Sequence, residues 1–157
     1  MVKSWSQLKS LFGNTYSYRR DAFTSGVRQA LKTTPRGGVS RDELEVSSAS
    51  LTMSVTWTAR PIHPWDRDLP LEQQDETFAE QCLHDVDIAI ARLFSRFPLV
   101  ERLDITVRHP HSNASILSGT AHRGDFVSVQ RLSIPMRLKM LGIAYELGSG
   151  GLQPLAL

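Results

Sequence analysis

Histidine is the residue type in this 157-residue chain most suited to chemistry, and three of the five histidines lie close together in the sequence. His109 and His111 are two positions apart and would share one face of a strand. His122 could approach them on a returning strand. A zinc site needs three or four converging ligands, and the chain lacks recognised spacings such as HExxH or paired CxxC. The sequence therefore predicts no metal site and no cofactor.

A polar pocket is the second chemical possibility. Arg123 could hold an anion there, and His122 could exchange a proton with a ligand. Asp125 could instead cap a helix that starts at Phe126, an explanation that needs no ligand. Both explanations stay open, and the predicted ligand-binding residues are His109, His122, Arg123 and Asp125.

Nucleophilic and nucleotide chemistry have less support. Cys82 and His84 are a possible thiol–imidazole pair, but positions two apart on a helix point about 200° away from each other. Cys82 lies among apolar residues at helical spacing and is expected to be an inert core thiol. The chain contains no GxSxG elbow, no P-loop and no GxGxxG motif. We therefore predict no catalytic residue, and a non-enzymatic role is favoured over an enzymatic one.

The distribution of charge restricts the partners. The chain carries +2 overall with neutral histidine, and residues 64–90 hold eight acids against one base, Arg67. Residues 1–45 hold eight bases and four acids, but the bases are scattered, so nucleic-acid binding is not expected. No apolar run approaches the roughly 20 residues of a membrane-spanning helix. No secretory signal pattern is present, so the cytoplasm is the expected compartment.

Apolar periodicity predicts the elements that must position these residues. Apolar side chains recur at helical spacing over residues 75–97, and Pro98 follows, which predicts one long helix. Alternation of apolar and polar residues predicts strands over 51–59 and 103–108. A return strand over 115–123 is the expected hairpin partner of the second of these.

A short final helix completes the predicted elements. Ser133 is placed to cap it, Pro135 suits its first turn, and Gly142 suits its end. The order of helices and strands is not a regular βαβ alternation. The predicted fold class is therefore α+β, with a mostly antiparallel sheet packed against one long helix, an N-terminal helical arm and a short C-terminal helix.

One domain spanning residues 1–157 fits this length. A Pro- and Gly-containing linker separates an N-terminal helical arm, residues 1–34, from a main body, residues 39–147. The Gly-rich stretch that follows predicts a flexible tail over residues 148–157.

An interaction module that self-associates is the function these features favour. An amphipathic N-terminal helix and an apolar C-terminal tail both need a covering surface, which a second copy or another protein could supply. Trp65 lies between a proline and an acid and is expected to be exposed. The predicted interaction residues are Trp5, Phe12 and Trp65. The alternative is a small-ligand-binding protein or enzyme with a pocket between the sheet and the long helix.

Overall fold

The computed structural model describes residues 23–31, 45–49 and 51–156. Helices lie on one face of a five-stranded sheet, and a two-stranded hairpin follows near the end of the chain. Residues 23–31 form the described part of helix α1. The remaining elements are β1 (Glu45–Ala49), β2 (Thr52–Thr58), a 3₁₀ helix (Pro64–Asp68), α2 (Leu71–Arg96), β3 (Arg102–Arg108), β4 (Ser115–His122), α3 (Arg123–Ser128), α4 (Ile134–Met140), β5 (Ile143–Ala144), β6 (Glu146–Gly148) and β7 (Gly151–Gln153).

The sheet has the strand order β1-β2-β3-β4-β5. The pairs β1–β2, β3–β4 and β4–β5 are antiparallel, whereas β2 and β3 are parallel, with Thr52 opposite Arg102. A parallel pair needs a crossover connection, and α2 supplies it. The prediction of an α+β fold with a mostly antiparallel sheet against one long helix is confirmed.

Alternating side chains give the sheet one buried face. Val55 of β2 pairs with Ile105 of β3, and both side chains are buried, whereas the intervening Thr56 and Thr106 are half-buried on the opposite face. This period-two pattern is what a strand with one face in the core requires. The predicted strands over residues 51–59 and 103–108 are confirmed to within a residue or two at their ends.

Helix α2 covers the buried face of the sheet with an apolar stripe. The buried residues recur every three or four positions, as one face of a helix requires: Ala79, Cys82, Leu83, Val86, Ala89, Ile90, Leu93 and Phe94. The helix ends before Pro98, as predicted, but it begins at Leu71 rather than at residue 75. The first turn is exposed at Leu71, Glu72 and Gln73, so it carries no apolar periodicity that could reveal it.

Helix α1 packs against the same core near the end of α2. Val27 and Leu31 are fully buried, and the Phe23 ring lies 5.3 Å from the Phe97 ring between centroids. This part of the predicted helical arm is therefore helical. The predicted first helix, including Trp5 and Phe12, lies outside the described residues.

The C-terminal segment corrects one prediction. The expected flexible tail instead forms the hairpin β6–β7, because Gly151 adopts the positive φ of +77° at the start of β7, directly after the turn. Leu152 is buried, and the backbone N–H of Leu155 donates to the Ser115 carbonyl at 2.8 Å. The predicted short helix is present as α4, and Gly142, with φ +84°, follows its end as expected.

Candidate functional site

Two aspartates on α2 anchor the segments on either side of this helix. Asp85 and Asp87 are two positions apart, so their side chains leave the helix about 200° apart and point to opposite flanks. Asp85 accepts hydrogen bonds from Arg60, at 2.7 Å from Nε and 3.2 Å from Nη2. Asp87 accepts from Arg137 of α4, at 2.6 Å from Nε and 2.7 Å from Nη2. The segment that follows β2 therefore lies along one flank of α2, and α4 lies along the other.

Two glutamines of α2 fix the segment between β2 and α2. The Gln81 side chain donates to the Arg60 carbonyl at 2.9 Å. The Gln74 side chain donates to the carbonyls of Arg67 and Leu69 at 2.9 and 2.7 Å. These bonds join the side chains of a rigid helix to the backbone of an irregular segment. The 3₁₀ helix within that segment is consequently held beside α2.

A groove of about 960 Å³ runs between these two walls over the solvent-facing side of α2. Its floor consists of residues at positions i, i+3, i+4 and i+7, which share one face of a helix. One wall belongs to the segment that contains the 3₁₀ helix, and the other is the start of α4. The α2 groove is lined by Arg60, His63, Trp65, Asp66, Thr77, Glu80, Gln81, Leu83, His84, Ile134 and Pro135.

Trp65 is the most exposed large apolar side chain at this groove, with 85% of its surface accessible. Its ring lies edge-on to the His63 ring at 5.1 Å between centroids, and the Trp65 backbone N–H donates to His63 Nδ1 at 3.3 Å. The predicted exposure of Trp65 is confirmed. An indole held in this way presents a large apolar surface at the edge of a concave site.

The space between the sheet and α2 is occupied by apolar side chains. Ile90 and Leu93 from the helix meet a sheet face that includes Ile105 and Leu117, and each of the four is at most 1% exposed. The groove therefore lies on the opposite side of α2 from the sheet, not between the two as the ligand-binding alternative expected.

Arg123 binds three backbone carbonyls at and just after the end of α2. Its Nε donates to the Val100 carbonyl at 2.7 Å, and its Nη1 and Nη2 donate to the carbonyls of Phe94 and Phe97 at 3.0 and 2.7 Å. The guanidinium also lies 4.7 Å from the Phe94 ring centroid. Phe94 lies in the last turn of α2 and Phe97 is its C-cap, so these contacts supply donors to carbonyls where the helix ends, and Val100 follows in the connection to β3. The structure thus gives Arg123 a structural role, and its predicted role as an anion ligand stays a prediction.

Asp125 and His122 are exposed and lie beside Arg123 in sequence. Helix α3 begins at Arg123, so Asp125 lies in its first turn instead of at a cap before Phe126. The backbone of His122 occupies the N-cap position, without a side-chain hydrogen bond. A carboxylate in the first turn of a helix is stabilised by the helix dipole, which accounts for Asp125.

His109 is remote from the other three predicted ligand-binding residues. It follows β3 beyond Arg108, whereas His122 pairs with Arg102 at the other end of that strand. Seven residues of strand correspond to about 20 Å. His109 Nδ1 accepts the backbone N–H groups of His111 and Ser112, and burial lowers the pKa of His109, with the nearby His111 charge adding to the effect. His109 is thus a turn-forming residue.

The outer face of the sheet carries a polar network that the sequence patterns did not reveal. Asp104 of β3 accepts hydrogen bonds from Thr120 of β4 at 2.7 Å, from Arg102 at 3.0 Å and from Ser54 of β2 at 3.4 Å. Burial raises the pKa of Asp104, but the hydrogen bonds from Thr120 and Arg102, the Arg102 charge and the Ser54 bond outweigh it, so the pKa lies below its ordinary value. This network joins the three central strands.

Metal and thiol chemistry find no arranged site in the part of the chain that the structure describes. Within residues 23–31, 45–49 and 51–156, no group of three or more His, Cys, Asp or Glu side chains could hold a metal ion. Cys82 is buried, and burial together with the nearby Asp85 charge raises the pKa of its thiol to about 12 despite the opposing charge of Arg60. The predicted position of Cys82 in the core is confirmed, and its inertness stays a prediction.

The α2 groove was not predicted from the sequence, although the residues of its floor form a pattern that the sequence shows. Thr77, Glu80, Gln81 and His84 form a readable polar stripe at helical spacing. The walls depend on two ion pairs that join α2 to distant segments, and no local pattern reports those pairs.

Comparisons of the chain with protein-family models, with curated proteins and with solved structures found no match. Among the described residues, no helix has both the length and the apolar composition needed to cross a membrane.

Proposed function

We propose that this protein is a non-enzymatic interaction module that self-associates, and that the α2 groove is its contact surface. The observation that carries the proposal is the position of Trp65, which is 85% exposed at the edge of the groove. Burying one large aromatic side chain stabilises an association by about 1.5–3 kcal/mol. Tryptophan residues in concave, desolvated positions are common hot spots of protein interfaces.

Helix α4 extends the apolar surface next to the groove. Met136 and Met140 are four positions apart, so they lie on the same face of α4, and both are exposed. Methionine side chains adapt to irregular partner surfaces. The wall that begins at Ile134 and Pro135 therefore continues as a surface suited to packing against protein.

A second copy of the chain fits the charges. Residues 64–90 carry −7, and residues 1–45 carry +4, so each copy holds both halves of a complementary pair. Such complementarity adds specificity and association rate more than affinity. The cytoplasm is part of the same proposal, because Cys82 is a buried free thiol, which fits a reducing compartment.

The test is the oligomeric state of the full chain by light scattering over a range of concentrations. We expect concentration-dependent association, and Trp65→Ala should weaken it. Leu99→Ala is the matched control, because Leu99 is 79% exposed but lies beyond the opposite end of α2. A strict monomer overturns the proposal, and so does an equal effect of the two substitutions.

A small organic ligand is the second candidate occupant, because the groove volume of about 960 Å³ lies near the upper end of known ligand sites, roughly 300–1,000 Å³. Two results together would favour a small-molecule ligand. The protein would be strictly monomeric, and a small molecule would raise the melting temperature of the wild type but not that of Trp65→Ala.

A further inference from the structure

We infer that the α2 groove binds the first twenty residues of a second copy of this chain, docked as a basic amphipathic helix. This inference rests on the self-association proposed above and names the segment that fills the site. Each copy would insert its N-terminal segment into the groove of the other.

The surface around the groove is acidic. Asp66 and Glu80 line it, and Asp68, Glu72 and Glu76 are exposed on the adjoining 3₁₀ helix and the first turns of α2. None of these five carboxylates forms an ion pair with another described residue. The occupant that complements this surface must therefore bring positive charge.

The first twenty residues of the chain have the required composition. They contain four bases, Lys3, Lys9, Arg19 and Arg20, and no acid. Their apolar residues Trp5, Leu8, Leu11 and Phe12 recur at helical spacing over residues 4–12. An amphipathic helix binds in a groove by placing such residues inward, here against Trp65, Leu83 and Ile134.

The size of the groove fits this segment. A nine-residue helix is about 14 Å long and about 10 Å across, which is a volume on the order of 1,000 Å³. The groove measures about 960 Å³. The two volumes are of the same order, so the groove can hold one short helix.

The place where the described chain begins permits the exchange. The Phe23 ring packs against Phe97, just past the end of α2, and His84 is about 20 Å away along the helix axis. The ten residues from 13 to 22 can span up to about 35 Å, which lets the segment reach beyond its own molecule. Reciprocal insertion uses the same two surfaces on both copies and produces a closed, two-fold symmetric dimer.

The first experiment identifies which molecule supplies the segment. Full-length protein is prepared with natural nitrogen and with ¹⁵N, and the two are mixed and treated with a carbodiimide, which joins lysine amines to carboxylates in contact. We expect cross-linked peptides that join Lys3 or Lys9 to Asp66 or Glu80 and contain one light and one heavy partner. Cross-links found only between peptides of the same isotope would place the segment in the groove of its own molecule and overturn the inference.

The second experiment exchanges the charges. The arm variant Lys3→Glu with Lys9→Glu and the groove variant Asp66→Lys with Glu80→Lys should each raise the dimer dissociation constant about tenfold. An equimolar mixture of the two variants should form a heterodimer with two complementary contacts, one of them charge-reversed and the other identical to the wild-type contact. The variant with all four substitutions should return to within about threefold of the wild type. Asp125→Lys is the control. Asp125 is an exposed acid on α3 that has no ion pair among the described residues, so this substitution should leave the dissociation constant unchanged.

The outcomes separate this inference from the proposed function. Association that Trp65→Ala weakens but the arm variant does not change would keep the module and overturn the arm as its occupant. A monomer at every concentration would overturn both. Loss of association in both charge variants, with recovery in the fourfold variant and a mixed-isotope cross-link, supports both.

Discussion

Arg137 and Asp87 join α4 to α2 through a bidentate ion pair, with both side chains largely buried at 14% and 15% exposure. Paired guanidinium and carboxylate groups in this geometry give the stronger kind of charge-assisted hydrogen bond. The pair connects residues 50 positions apart and fixes the wall of the α2 groove that contains Ile134 and Pro135.

Substitution Asp87→Ala is expected to lower the free energy of unfolding by about 2 kcal/mol, because it leaves the Arg137 guanidinium largely buried without its carboxylate. Urea unfolding of the purified variant measures this loss. Glu80→Ala is the control on the same helix, since Glu80 is exposed and has no described ion pair, and it should change stability by less than about 0.5 kcal/mol. Equal effects of the two substitutions would contradict a stabilising role for the pair.

Arg123→Ala should cost about 2–3 kcal/mol of stability, because the carbonyls of Phe94 and Val100 lose a side-chain donor and the Phe97 carbonyl keeps only the Val100 N–H. Arg123→Lys should recover less than half, since an ammonium cannot reproduce the planar fork of a guanidinium. Chemical denaturation provides the measurement, and His122→Ala, at an exposed neighbour, should be nearly neutral. An Arg123→Ala protein as stable as the wild type would contradict this structural role.

Gly119→Ala should destabilise the protein by at least about 2 kcal/mol. A Cβ at Gly119 would overlap the Gly142 carbonyl oxygen and lie 2.8 Å from the Ile143 Cα, both backbone atoms, so β5 would have to separate from β4. Gly124→Ala is a matched control, because nothing lies within 4 Å of a Cβ there and alanine favours a helix. Thermal unfolding should show a lower Tm for the first variant and an equal or higher Tm for the second. A Gly119→Ala protein with the wild-type Tm would be inconsistent with this close approach.

The turn after β3 should weaken as the pH falls. Burial, with the nearby His111 charge, lowers the pKa of His109 from its ordinary value of 6.5. Because the folded pKa is the lower one, His109 contributes stability that is present above 6.5 and is lost as the pH falls through its folded pKa. Protonation of Nδ1 would also remove the acceptor for the N–H groups of His111 and Ser112.

His109→Asn tests this pH dependence, since the asparagine oxygen can accept the same backbone bonds without titrating. Stability is measured by urea unfolding at about pH 8 and about pH 5, where a histidine of ordinary pKa changes charge. The wild type should lose more stability between the two pH values than the variant does. Equal losses would show that His109 does not contribute to the acid sensitivity.

Elements whose residues face one continuous core were predictable from the sequence. The stripe from Phe78 to Phe94 identified α2, and the alternation around Val55 and Ile105 identified two central strands. The exposed first turn at Leu71 and the hairpin that contains Leu152 were not predicted, because an exposed helical turn has no apolar period and a glycine turn resembles a flexible segment.

Of the candidate site, only the exposure of Trp65 was predicted, although the polar stripe of α2 was also readable. An indole between Pro64 and Asp66 could not be assigned to a core, and it is exposed. The rest of the groove depends on Arg60 and Arg137, each of which pairs with an aspartate more than 20 positions away. Hydrophobic periodicity carries no information on such pairs.

The parallel pairing of β2 with β3 separates two hairpins, β1–β2 and β3–β4, that differ from it in how much chain must be closed to form them. Each hairpin joins strands that are separated by a short turn. The β2–β3 pair places Thr52 beside Arg102, and the connection between these two strands contains all of α2. Closing a long loop costs more chain entropy than closing a short turn. We therefore expect the two hairpins to form early and separately, and the docking of the helix that joins them to follow, because that step must close the longer loop.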